Sequence, residues 1–225
     1  MVVPVFNAAR FLREALASVL AQTYPHTELI VVDDGSTDGS AELAEAVTGQ
    51  PVIRQPHAGA AAARNAALER CRADIVAFQD ADDVWLPQKT ARQVEYLLAH
   101  RDEPCCTCQR IDFLDPSIAD DAAVWCPAST LNVPLVSYGT GTIVAWRSLF
   151  DEVGDFDSSY DIVHDTEWMA RVRARGYRLG VVEEVLYHRR VHAANLCADQ
   201  AKMSLELFRV YRAQARRHRL EAGSS

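Results

Sequence analysis

The chain has 225 residues, of which 49% are hydrophobic and 24% charged, and its formal net charge is −8. That balance suits one α/β domain with a sizeable core and excludes disordered, collagen-like and disulfide-framework proteins. The acidic balance argues against nucleic acid or an anionic membrane as the main partner. No apolar run approaches the ~18 residues of a membrane span, and Met1 to Asn7 has neither a basic stretch nor a small-residue cleavage site, so a cytoplasmic chain is the expectation.

Met1 to Phe6 reads as a strand. Phe11, Leu12, Ala15, Leu16, Val19 and Leu20 follow at helical spacing, with Asn7 as a plausible N-cap and Pro25 beyond the end. Leu29 to Val32 is a continuous run suited to a strand buried on both faces. It stops at the turn Asp33-Asp34-Gly35-Ser36, ahead of a helix over 38–47. Val52-Ile53 is a short strand, Ala60 to Arg72 an alanine-rich helix after Gly59, and Ile75 to Phe78 the next strand, ending at Gln79-Asp80-Ala81-Asp82-Asp83. Pro87 suits the first turn of a helix running towards His100. This β-α-β-α-β-α-β order predicts a Rossmann-like, mostly parallel sheet flanked by helices, with ligands at the carboxyl ends of its strands. Past residue 104 the pattern is less regular. Strands are expected over 106–113, 142–146 and 179–182, with helices over 165–175 and 199–218. The organisation expected is one domain over 1–196, its halves 1–103 and 104–196 forming opposite walls of a crevice, then a helical tail over 197–225 with a disordered Gly223-Ser224-Ser225 end.

Three of the six cysteines lie in Cys105-Cys106-Thr107-Cys108. With Cys126 they could make a thiolate site, but structural zinc favours pairs at CxxC-type spacing, so reduced thiols filling a strand are the plainer reading.

The acidic clusters sit where a parallel sheet binds ligands. Asp34, Ser36, Asp38, Gly39 and Glu45 match calcium-loop positions, but a buried strand precedes them where an EF-hand needs a helix. Asp80, Asp82 and Asp83 could cap a helix and form a turn. Three carboxylates within four residues nevertheless repel one another strongly without a cation, which favours Mg²⁺ or Mn²⁺ shared with a nucleoside diphosphate. Neither a GxxxxGK[ST] loop nor a GxGxxG turn is present.

Taken together, the motifs resemble family 2 glycosyltransferases of the GT-A fold. They are the opening Pro4-Val5-Phe6-Asn7, Leu20 to Pro25, Val32 to Gly39, Gly59 to Asn65, Asp80 to Pro87, Gly141-Thr142, Arg147 to Asp157, His164 to Trp168 and Tyr187 to Asn195. The resemblance covers roughly residues 1–196 and implies hexosyl or N-acetylhexosaminyl transfer from a nucleotide-sugar donor, usually uridine-linked, with inversion and a bound Mn²⁺ or Mg²⁺. It implies that Pro4, Phe6 and Asn7 border the nucleoside, Asp33 and Asp34 bond the base or ribose, and Arg64, Asp80 and Ala81 lie on the nucleotide. Asp80 and Asp82 match the DxD motif, with Asp82 as the direct metal ligand and His192 on the metal or diphosphate. Asp165 matches the catalytic base. His164 stands where the family has Glu; with Asp83, Trp85 and Arg190 it falls on the acceptor or diphosphate side. Only three residues precede Pro4, where the family has a longer first strand.

Each assignment has a plainer competitor. Asp165 could be a helix N-cap, His192 a core or surface histidine, Arg190 a surface ion-pair partner, and Arg64 a solvated helix residue. The tail carries Leu205, Phe208, Val210 and Tyr211 beside Arg209, Arg212, Arg216, Arg217 and Arg219. It could dock on a membrane or partner, or pack on the domain with a solvated basic face. A glycan, lipid-linked glycan, peptide or small metabolite could accept the sugar. A nucleotidyltransferase of the same fold and a non-catalytic sugar-nucleotide-binding module are the competing functions.

Overall fold

The computed structural model describes residues 1–116 and 126–222, so the expectation for Gly223 to Ser225 lies outside the described residues. In chain order the elements are β1 (Val2–Val5), α1 (Ala9–Leu20), β2 (Ile30–Asp33), α2 (Ser40–Thr48), β3 (Ile53–Arg54), α3 (Ala60–Leu68), β4 (Ile75–Ala77), β5 (Val84–Trp85), α4 (Lys89–Ala99), β6 (Cys105–Leu114), β7 (Leu135–Val136), β8 (Val144–Trp146), α5 (Ser148–Val153), α6 (His164–Ala174), β9 (Leu179–Val191) and α7 (Gln200–Ala222).

β1, β2 and β3 are parallel, in that order. A parallel bridge between Val2 and Phe78, with the Gln79 N–H donating to the Val2 carbonyl at 2.9 Å, carries the sheet on to β4. The order there is β4-β8-β6-β9-β5, with β7 on β6. β4–β8, β6–β8, β5–β9 and β6–β7 are antiparallel and β6–β9 is parallel. The sheet is therefore parallel where helical crossovers build it and mixed beyond.

Its two faces carry different cores. Phe78, Phe150, Phe156 and Trp168 pack with α3, α5 and α6 on one side, the Phe150 and Trp168 rings stacked at 4.5 Å. Leu12, Leu16, Trp85 and Leu97 pack with α1, α2 and α4 on the other. Each such side chain contributes roughly 1.5–3 kcal/mol by leaving water. Strand alternation divides the cysteines, Cys105 joining the first core and Cys106 and Cys108 the second. The three thiols therefore do not converge on one ion. Burial pushes Cys105 and Cys106 up to about 12, keeping them protonated.

Some boundaries differ from the sequence expectations. The alanine-rich helix α3 ends at Leu68 rather than Arg72, and α4 starts at Lys89, so Pro87 precedes its first turn. Asn7 does not cap α1, whose N-cap is Ala8. Instead the loop after β2 serves that helix end, Ser40 Oγ accepting from Ala8 N at 2.9 Å and Asp38 Oδ2 from Ala9 N at 3.0 Å. The short strand expected over 179–182 continues to Val191, because its parallel pairing with β6 runs on through two register shifts near Gln109. No helix among the described residues is long and apolar enough to cross a membrane.

The tail is part of the body. α7 packs on α6 through Val210, Met203 and Leu207, against Tyr160, Ile162, Val163 and Ala170. Leu205, Phe208 and Tyr211 on its outer face remain at least 60% exposed.

Candidate active site

A cavity of about 1490 Å³ opens at the carboxyl ends of β1, β2 and β4. Pro4, Phe6 and Asn7 line one end, where the exposed Phe6 ring stacks on His57 at 3.9 Å. Asn7 has φ 46° and its Oδ1 accepts from Thr37 N at 2.9 Å. Asp34 is 2% exposed and fully occupied. Gln55 Nε2 and Ala58 N donate to Oδ1 at 2.7 and 3.0 Å, and Gly59 N donates to Oδ2 at 2.8 Å. His57 Nδ1 lies 2.8 Å from Oδ2. Asp34 thus holds the 55–59 loop against β2, an approach so close that a Cβ at Gly35 would lie 2.9 Å from His57 N. Asp33 sits behind this wall; Ser36 N donates to its Oδ2 at 3.2 Å, while Oδ1 is buried without a hydrogen-bond partner among the described residues.

The next layer is a charged chain across the cavity floor. Arg64, buried in α3 rather than solvated, donates from Nη2 to Asp80 Oδ1 and from Nη1 to His164 Nε2, the latter at 2.8 Å. His164 must therefore carry its proton on Nδ1. Burial, with the Arg64 charge added, pushes its pKa down to about 3, so the ring is neutral. Where a glutamate would compete with Asp80 for the Arg64 charge, the histidine accepts a hydrogen bond and leaves the guanidinium charge to Asp80.

β5 pairs with β9, and this register brings residues 80–85 against 187–192. His192 Nε2 lies 2.8 Å from Asp82 Oδ2, and Asn195 Nδ2 donates to the same oxygen at 3.2 Å. His192 also packs on Phe11, ring centroids 4.7 Å apart. Asp83 is turned inward, taking the Tyr187 hydroxyl and, at 2.6 Å, the Arg190 N–H. Burial, reinforced by Asp82 and Asp80, pushes the Asp83 carboxyl well above the usual range. Arg190 is 6% exposed, so it is no surface ion-pair residue. Its Nε donates to the Asp82 carbonyl at 3.0 Å and its Nη2 to Glu14 at 2.5 Å. Trp85 lies in the core behind the site, its Nε1 donating to the Gly141 carbonyl at 3.2 Å. Asp83 and Arg190 thus pin the aspartate loop to β9, and Asp80, Ala81, Asp82 and Asp83 all line the cavity.

Asp165 lies on the α6 wall of the same cavity, next to His164 and within electrostatic reach of Arg64 and Asp80. It is not the N-cap of α6, which is Val163, but the second residue of that helix. Thr166 N donates to Asp165 Oδ1 at 2.6 Å. Burial and then Asp80 raise its carboxyl pKa, against the opposing pull of Thr166 and Arg64. Lys202, Met203 and Leu207 of α7 complete this wall, and His57 the far end. The sequence offered no signal for these four, because each meets the cavity only through long-range packing.

Residues 1–120 match the model for glycosyl transferase family 2. TuaG of Bacillus subtilis is 38% identical over 103 residues, 44% of this chain and 41% of TuaG. An uncharacterized glycosyltransferase of Rickettsia prowazekii, RP339, is 30% identical over 207 residues, 86% of this chain and 64% of that protein. Among solved structures, the mannosyltransferase PcManGT of Pyrobaculum calidifontis, in complex with GDP-Man and Mn²⁺, superimposes with a TM-score of 0.74 at 23% identity, covering 96% of this chain and 63% of that one. TarS 1–349 of S. aureus, in complex with UDP-GlcNAc, gives 0.69 at 16%, covering 88% and 60%. The structural likeness is one of fold, and the chain spans less than two thirds of each of these proteins. The shared fold and the sequence match over residues 1–120 agree, and the chain belongs to glycosyl transferase family 2.

Proposed function

We propose that this domain transfers a sugar, with inversion, from a nucleoside diphosphate donor, uridine-linked by preference, to a hydroxyl or other nucleophile. The observation that carries the reading is the placing of a raised-pKa carboxylate, Asp165, in one cavity with the Arg64–Asp80 and Asp82–His192 pairs. Residues 1–103 would hold the donor, with Phe6 and His57 at the nucleoside and the aspartate loop at the diphosphate; residues 104–196 would hold the acceptor. A cytoplasmic site of action is part of this reading.

The donor set fits a divalent cation of the Mg²⁺ or Mn²⁺ type. Asp82 supplies oxygen and His192, once the Nε2 proton that it directs at Asp82 is moved off, imidazole nitrogen, side by side on the cavity wall, and two such ligands leave positions for phosphate oxygens. Among the described residues no group of three His, Cys, Asp or Glu converges as a closed metal cage. Asp82 and His192 would hold the cation, and its charge would stabilise the departing diphosphate. Asp165 would take the proton from the acceptor as the new bond to the anomeric carbon forms and the bond to phosphate breaks, the electron pair leaving on the nucleoside diphosphate. A carboxyl with a raised pKa is the better proton acceptor. Attack from the Asp165 side, opposite the leaving group, inverts the centre.

The test is turnover of a nucleotide-sugar panel with Mn²⁺. Release of nucleoside diphosphate from one donor, abolished by EDTA and restored by Mn²⁺, is expected. Tight binding with no turnover of any donor, with or without acceptors, identifies a binding module instead.

A further inference from the structure

The helix that carries Asp165 starts without a cap of its own. Its N-cap is Val163, whose side chain cannot accept a hydrogen bond. The segment immediately before it is held from far along the chain, by α7. Glu206, 4% exposed, takes the Asp161 N–H on Oε1 at 3.1 Å and the Ile162 and Val163 N–H groups on Oε2 at 3.0 and 3.1 Å. Three consecutive backbone donors on one buried carboxylate form a charge-assisted anchor, and its negative charge faces the positive end of the α6 dipole. Val210 and Leu207 of α7 pack on Val163, Ile162 and Ala170 around it, and Lys202 pairs with Asp161. Met203 and Leu207 also line the cavity itself. α7 lies beyond residues 1–120, the part matched by the family model.

We infer that Glu206 is a positioning residue: through the three amides of 161–163 it fixes the start of α6 and thereby sets where Asp165 meets the acceptor. The inference rests on the proposed role of Asp165. Glu206 itself does not line the cavity, and the segment that it holds reaches the nucleotide side through His164, which accepts from Arg64, and Asp161, beside Gly59, so its loss should act on chemistry more than on donor binding. A displacement of about 1 Å at a reacting group costs on the order of 100-fold in rate.

The variants are Glu206→Ala, which removes all three acceptors, and Glu206→Gln. The amide oxygen of the glutamine can keep the bonds to Ile162 and Val163, while its NH₂ meets the Asp161 N–H as donor to donor. Hydrogen exchange of the full chain should show loss of protection at amides 161–163 in Glu206→Ala and at 161 alone in Glu206→Gln. In transfer assays, kcat should fall by about 100-fold in the alanine variant and by a smaller factor in the glutamine variant, with donor KM within about twofold of wild type in both. Lost protection with unchanged kcat would make Glu206 an anchor of α7 and nothing more. A parallel rise in donor KM would mean general loosening, and unchanged protection would mean the amides are held otherwise; either overturns the assignment. If the alanine variant does not fold, the glutamine variant decides by the same readings. A wild type that turns over no donor defeats the transferase reading, whereas the exchange arm still decides whether Glu206 holds the segment.

Discussion

The two walls of the cavity hold their charges in different ways. On the proposed donor wall each acidic or basic group is answered by partners distant in sequence: Asp34 by the 55–59 loop, Arg64 by Asp80 and His164, Asp83 by Tyr187 and the Arg190 amide. On the proposed acceptor wall, Asp165 is bonded through Oδ1 to its own neighbour, Thr166. Its position is instead set from behind, by α7. A diphosphate is bound best by charges fixed before it arrives, since nothing then needs to reorganise. A base needs an oxygen left open and a raised proton affinity, and burial supplies the second. The contrast separates affinity from rate.

That separation can be broken most sharply with a pair of substitutions. Asp165→Asn keeps shape and hydrogen bonding but cannot take a proton, so transfer should fall by roughly 10²–10⁴-fold with donor affinity and stability near wild type. Asp82→Ala should do the reverse in the binding assay, weakening Mn²⁺-dependent binding of nucleoside diphosphate by about tenfold or more while the fold persists. Isothermal titration and initial rates on both variants decide the matter. If both move donor affinity equally, the two walls are not independent.

A smaller effect is expected behind the donor wall, at a charge that serves neither side. Lys89 is fully buried, its ammonium 4.2 Å from the Trp85 ring centroid, and Nζ has no hydrogen-bond partner among the described residues. Burial lowers its pKa to about 8 from 10.5. The charged form is thus disfavoured in the folded state. This cost is complete below pH 8 and is relieved as pH rises towards 10.5, the unfolded value. Lys89→Met should therefore stabilise the protein at pH 7 by ~1–3 kcal/mol, with a gain that shrinks towards pH 10.5. Chemical denaturation at the two pH values checks the sign; a loss of stability at pH 7 would mean the cation–π contact outweighs desolvation.

Residues 1–103 were the legible half. Its strands alternate with amphipathic helices, and its acidic clusters lie at strand ends, so position in sequence already announces position in the sheet. Leu29 to Val32 and Ile75 to Phe78 show this directly, each followed two residues on by an aspartate that lines the cavity, Asp34 and Asp80. The second half is built from antiparallel additions and one long strand whose length depends on pairing with β6, which local pattern does not encode. Asp165 could be singled out by motif, but its place as the second residue of α6 depends on Glu206, more than forty residues onward. The burial of Arg64 and Arg190 was equally hidden, because an arginine reads as solvated until its partners are brought to it from Asp80, His164 and Glu14.

The central claim is a single displacement at the anomeric carbon, with Asp165 and the leaving diphosphate on opposite sides. Proton NMR of the first-formed product, using the donor that turns over in the panel, reads it most directly through the coupling constant of the anomeric proton. The account predicts the configuration opposite to that of the donor. Retention of the donor's configuration would contradict it.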